Sequence, residues 1–149
     1  MESSSAVSLR ITSASLTAAS ITQILGCKPA ACREIGDFVN RATDRRSSKA
    51  WWTLESTLQW DESVPEQIRQ LAAFLESRPE AALRTLAANC RLELFCTFAP
   101  DEGQGGFTLD PDILRRTADL GLEVVIDFWV LDKLWLEKRD DNKYHRTKE

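Results

Sequence analysis

The amino-acid sequence predicts an α+β fold, a single layered domain in which helices cover one face of a mainly antiparallel sheet. Three observations carry that expectation. Four segments alternate apolar and polar residues with the period of two that a half-buried strand requires. Between them, apolar residues at helical spacing follow start signals at Thr17, Ser63 and Asp110. Finally, 149 residues with 43% apolar content suit one core better than two.

The elements read β-α-β-β-αα-β-α-β, and the first six share the element order of split βαβ, ferredoxin-like folds. Ser8 to Thr12 is the first strand, with Leu9 and Ile11 on one side and Arg10 on the other. Thr17 then caps a helix carrying Ile21, Ile24 and Leu25, and Gly26 stands where a left-handed residue ends it. A weak strand is expected near Glu34 to Val39, followed by a solvated basic loop from Arg41 to Lys49.

Trp51 to Ser56 is the next strand, placing Trp52 and Leu54 inward and Trp51, Thr53 and Glu55 outward. Ser63-Val64-Pro65-Glu66 joins a cap, a first-turn proline and a glutamate three residues on, ahead of Ile68, Leu71, Ala72 and Leu75. Ser77-Arg78-Pro79-Glu80 repeats the pattern, so the helical region is expected to break or kink at Pro79 and to end at Asn89.

Cys90 to Phe98 directs Leu92, Leu94, Cys96 and Phe98 inward, and Arg91, Glu93, Phe95 and Thr97 outward. After a turn-rich loop at 100–106, Asp110-Pro111-Asp112 opens a short helix holding Ile113, Leu114 and Leu120, closed by Gly121. Leu122 to Leu131 is the longest expected strand. Its inward set is Leu122, Val124, Ile126, Phe128 and Val130; its outward set is Glu123, Val125, Asp127, Trp129 and Leu131. The domain is expected to span residues 1–136, with a frayed polar tail over 137–149.

Charge is unevenly spread. Residues 10–49 carry seven basic and three acidic side chains, whereas residues 50–136 carry seven basic and fifteen acidic ones. With a net charge of −4 the chain lacks the basic cluster needed to neutralise phosphates, so neither nucleic acid nor an anionic membrane is an expected partner. A basic partner suits the acidic stretch. The start shows no basic-then-apolar leader pattern and no window reaches eighteen apolar residues, which predicts a cytoplasmic protein whose cysteines are reduced thiols.

The residues Leu9-Arg10-Ile11, Leu16-Thr17, Ile21-Thr22, Leu25-Gly26, Trp52-Thr53-Leu54-Glu55-Ser56, Gly105-Gly106, Leu114 and Leu120-Gly121-Leu122-Glu123 together resemble a bacterial family catalogued only as a domain of unknown function. The likeness runs over about residues 8–130. Its most specific part is the W-x-L-E-S segment. The resemblance implies this fold and a bacterial cytoplasmic origin, and it implies no activity. Trp51, the basic loop from Arg41 to Lys49, and the extension holding Trp135 depart from the family pattern.

No catalytic, cofactor or metal constellation is expected. His145 is the sole histidine and stands in a charged tail, where nothing would orient it as a base. Cys27 and Cys32, like Cys90 and Cys96, miss the C-x2-C spacing of a zinc knuckle, and Cys96 falls on an apolar strand face. Gly103-Gln104-Gly105-Gly106 lacks the Lys-Ser/Thr of a phosphate loop and reads as a turn between Phe98 and Phe107. Asp101, Glu102, Asp110 and Asp112 read as solvated or capping carboxylates.

One constellation remains. If the strand parities hold, the outward sheet face gathers Arg10, Trp51, Thr53, Glu55, Glu93, Phe95, Thr97, Glu123, Asp127 and Trp129. Aromatic rings among carboxylates are what an interface buries. Three readings stay open for this face: cover by the segment Leu131 to Leu136 with Trp135, homodimerisation, or a protein or ligand partner. The expected function is a non-enzymatic protein-binding module, most concretely an immunity- or antitoxin-like inhibitor of a basic toxin. Its binding residues would be Trp51, Glu55, Glu93, Phe95, Glu123, Asp127 and Trp129. The alternative is a small-ligand domain or weak enzyme with a carboxylate pocket at Glu55 and Asp127.

Overall fold

A computed structural model describes residues 4–100 and 105–129. Its centre is β1 (Ser4–Ser13), whose inward side chains Val7, Leu9 and Ile11 are fully buried. The strand starts four residues earlier than the pattern of Leu9 and Ile11 indicates. Ser5 and Ser13 occupy core-facing positions and meet their hydrogen-bonding needs there: Ser5 Oγ donates to Glu62 O (2.7 Å), and Ser13 Oγ donates to Asn89 O (2.8 Å).

The other elements are α1 (Ala18–Leu25), β2 (Ala31–Arg33), β3 (Phe38–Asn40), β4 (Arg45–Arg46), β5 (Ala50–Glu55), α2 (Val64–Glu76), α3 (Glu80–Asn89), β6 (Arg91–Ala99), α4 (Pro111–Asp119) and β7 (Leu122–Phe128). Five strands form one sheet in the order β2-β5-β1-β6-β7. All neighbours pair antiparallel except β6 and β7, which run parallel through the α4 crossover. The expected α+β layering with a mainly antiparallel sheet is therefore present. β5 lies between β1 and β2 and β6 lies on the other side of β1, so the first six elements pair as a split βαβ arrangement requires.

All four helices contribute to one core. Ile21 and Leu25 of α1, Ile68, Leu71 and Leu75 of α2, Leu86 of α3 and Ile113 of α4 pack with Trp52, Leu94, Cys96 and Phe98 from the inward sheet face. Trp52 also donates from Nε1 to Thr22 Oγ1 (3.1 Å), which satisfies its indole among apolar neighbours.

The helix boundaries follow local chemistry. Thr17 caps α1 by accepting from Ser20 N, and the carboxylate of Glu34 also accepts from Ala18 N, so two oxygens serve that N-terminus. Gly26 follows at φ 67°, where a side chain would be strained. Ser63 caps α2 and Asp110 caps α4, as expected. At Pro79 the helical region breaks, but Ser77 does not cap α3. It ends α2 instead, donating from Oγ to Phe74 O (2.6 Å), and the first turn of α3 has no side-chain cap.

Four local expectations need correction. The weak strand near Glu34–Val39 is divided, because Glu34 to Asp37 form a turn closed by Glu34 N donating to Asp37 Oδ2 (2.7 Å), with Gly36 at φ 90°. Ala31–Arg33 before it joins the main sheet, while Phe38–Asn40 pairs with Arg45–Arg46. The basic loop is accordingly a small hairpin, in which Arg41 and Arg46 lie 5.1 and 4.0 Å from the centroid of the Phe38 ring. Leu114 is 50% exposed, since α4 turns Ile113 and Thr117 to the core.

The fourth correction concerns β7. It ends at Phe128, and Val130 and Leu131 lie outside the described residues; as far as Phe128 the inward parity is right, yet Ile126 is 38% and Phe128 58% exposed. β7 is the sheet edge, and the helical layer stops short of its far end. Phe128 and Phe107 each meet Phe98 edge-on, with ring centroids 5.7 and 5.2 Å from it.

Candidate functional site

The face opposite the helices can be read from strand register. Across one row stand Arg33 of β2, Trp51 of β5, Thr12 of β1 and Arg91 of β6; across the next stand Ala31, Thr53, Arg10, Glu93 and Glu123. A third row holds Glu55, Ser8, Phe95 and Val125, and a fourth holds Ala6, Thr97 and Asp127. All seven expected binding residues gather here. Trp129 lies just past β7 and is tied to the face by its Nε1 donating to Asp127 Oδ2 (2.8 Å).

The face differs from expectation in two respects. Thr53 is buried, because β2 lies alongside and Thr53 Oγ1 donates to Ala31 O (3.3 Å). The face is also less acidic than expected: Arg10, Arg33 and Arg91 stand against Glu55, Glu93, Glu123 and Asp127. Arg33 was missed because a three-residue edge strand shows no readable period. Arg91 shares the parity of Glu93, and that signal was available in the sequence.

The charges are arranged in order. Arg91 donates from Nε (3.0 Å) and Nη2 (2.7 Å) to Glu123 Oε2 and lies 3.7 Å from Glu93, and the Glu123 hydrogen bond raises the Arg91 pKa above its ordinary value. Arg10 lies over the Phe95 ring, its Cζ 3.6 Å from the centroid, and Arg33 lies 5.7 Å from the centroid of Trp51. The arginines thus crowd one end of the face against aromatic rings. Glu55 and Asp127 stand toward the other end.

Arg10 has an unmet requirement. Its Nε is buried and has no hydrogen-bond partner among the described residues. A buried unpaired donor costs on the order of 1 kcal/mol or more, which ring stacking partly offsets. Beside it is a depression of about 100 Å³ lined by Arg10, Thr12, Trp51, Arg91 and Glu93.

The remaining candidates fall outside this face. Cys96 is fully buried on the core side of β6, and burial pushes its thiol up to about 12, which leaves it protonated and unreactive. Burial also raises Cys27 and Cys90. Among the described residues no group of three or more His, Cys, Asp or Glu side chains is placed to hold a metal ion. Asp110 and Asp112 serve α4, the first as cap and the second beside Arg116. His145, Asp101, Glu102, Gly103, Gln104 and the segment Leu131 to Leu136 lie outside the described residues. No described helix is long and apolar enough to cross a membrane.

The W-x-L-E-S segment separates into structure and surface. Trp52 is core, and Ser56 is buried, donating from Oγ to Gln70 Oε1 (2.7 Å) and accepting from Leu58 N (3.0 Å). Leu54 packs against the core from a half-buried position. Of the segment's signature residues, Glu55 alone is exposed.

A family model described as a domain of unknown function, DUF4279, matches residues 2–131, and the chain belongs to that family. No curated protein and no solved structure matches the chain.

Proposed function

We propose that this member of the DUF4279 family is a non-enzymatic protein-binding module that docks a partner on the sheet face opposite the helices. One observation carries the reading: strand register places Trp51, Glu55, Glu93, Phe95, Glu123 and Asp127 on a single face, while all four helices pack on the other. Aromatic rings held flat by strands lose little freedom on binding, and surrounding charges select the partner.

The partner in this reading is basic, since Glu55 and Asp127 stand away from the arginine cluster and the chain from residue 50 onward is strongly acidic. The most concrete form is an immunity- or antitoxin-like inhibitor acting in the bacterial cytoplasm on a basic toxin. Glu55→Lys and Asp127→Lys test it. Each should slow association with the partner about tenfold at low salt while leaving the fold intact. Unchanged binding to every captured protein, the product of the adjacent gene included, contradicts the reading. Self-association that these substitutions abolish would instead make the face a homodimer interface.

The small-ligand alternative loses its original residue pair. Glu55 and Asp127 lie three strand spacings apart, about 14 Å, too far to share one small pocket. The depression beside Arg10 keeps a ligand reading of a different kind.

A further inference from the structure

We propose that the depression beside Arg10 is a carboxylate-binding subsite. Four observations converge on it. The Arg10 guanidinium lies over the Phe95 ring, its Cζ 3.6 Å from the centroid, so its position is held before any ligand arrives. Its Nε is buried and lacks an acceptor among the described residues. The cross-strand neighbour able to neutralise it, Glu93, approaches Arg91 instead (3.7 Å), and Arg91 is in turn held by Glu123. The adjoining space, about 100 Å³, has Thr12 and Trp51 in its walls.

A planar anion suits this chemistry, because a guanidinium offers parallel donors to two oxygens. Size and charge choose carboxylate over phosphate. The volume equals about three water molecules. Glu93 in the lining opposes a second negative charge, so a monoanion is accepted where a dianion is repelled. The apolar surface of Trp51 meets the carbon that carries the carboxyl group. A free small carboxylate and an acidic side chain on a docked protein present the same group, and the experiment separates them.

The subsite rests on the face being open, and it does not depend on the charge of any protein partner. The test is an NMR titration of the purified full chain with sodium acetate and, separately, inorganic phosphate, following the Arg10 Nε–H and Trp51 Nε1–H resonances. Acetate should shift both saturably, with Kd on the order of 1 mM. Phosphate should bind at least about tenfold more weakly. Arg10→Lys should weaken acetate about tenfold, since an ammonium keeps the charge and loses the fork. Thr12→Val, which removes one lining hydroxyl and leaves the stacking intact, should weaken it about threefold and decides the matter if the lysine variant does not fold.

Shifts that never saturate, equal binding by Arg10→Lys, or tighter binding of phosphate overturn the proposal. If acetate saturates while no protein partner binds the face, the subsite serves a free carboxylate and the protein-docking reading fails alone. If a partner binds and acetate does not, the subsite fails alone.

Discussion

Arg10 and Phe95 are diagonal neighbours across β1 and β6, and the guanidinium of one covers the ring of the other at 3.6 Å. That contact organises the face opposite the helices. It holds a cation on the sheet without an ion pair to Glu93, its direct cross-strand neighbour, which lies within 3.7 Å of Arg91 instead. The arrangement costs stability, because an unpaired buried donor stands where an apolar side chain would pack as well.

Arg10→Met should therefore cost nothing in stability, and a gain of about 1 kcal/mol is expected. Replacing a half-buried, poorly satisfied cation by an apolar chain of similar length is neutral or favourable. Urea denaturation of the two proteins measures it, and a loss above about 2 kcal/mol would show that Arg10 is satisfied in the folded state.

Gln67 should be among the most sensitive polar positions. Beyond Glu55 the β5 strand has ended, yet β1 continues to Ser4, and its free edge is completed by Gln67, which accepts from Val7 N (2.9 Å) and donates to Ser5 O (3.0 Å) and Glu62 O (2.9 Å). Ser56 N and Trp60 N donate to Val7 O and Ser5 O in the same stretch. Gln67→Leu should destabilise by about 3 kcal/mol, because it strands these groups in a dry site. Hydrogen exchange should show protection lost at Val7 and kept within β6.

The thiol of Cys96 predicts an alkaline dependence. Its folded pKa stands at about 12, above the ordinary value of 9.0, so the unfolded chain ionises first as pH rises. Stability is fully present below pH 9.0 and falls between there and about pH 12, by about 1.4 kcal/mol per pH unit at most. Cys96→Val should flatten that slope in denaturation curves. Alkylation at pH 8 should modify exposed Cys32 first and leave Cys96 untouched until the protein unfolds.

Within the W-x-L-E-S segment, core and surface should respond differently. Trp52→Ala opens the core and removes the bond to Thr22, costing about 4 kcal/mol, while Glu55→Ala should stay within about 0.5 kcal/mol. Thermal melts of the two variants check this. Equal losses would mean that Glu55 supports the fold.

The sequence revealed the strands that alternate strictly and the helices that begin with recognisable caps. Leu92 to Phe98 reads directly, because every second residue is buried, and the seven site residues fall together because parity alone assigns them to a face. What was not legible depends on neighbours. Ser5 and Ser13 of β1 look like surface residues until Gln67, Glu62 and Asn89 arrive to bond them. Arg33 has no period to read in a three-residue strand, and Phe128 is exposed because the sheet edge outruns its helices, which no local pattern records. The pairing of Arg91 with Glu123 requires knowing that β6 and β7 run parallel in this register.

The most direct measurement of the central claim is a matched capture followed by reconstitution. The wild-type chain and the Glu55→Lys/Asp127→Lys double variant, shown equally folded by circular dichroism, are used as bait, and any protein retained by one alone is purified and titrated by calorimetry. The account predicts a basic protein bound by the wild-type chain and weakened at least about tenfold by the variant, with affinity falling as salt rises. Identical binding by both baits, at an affinity indifferent to salt, would contradict it.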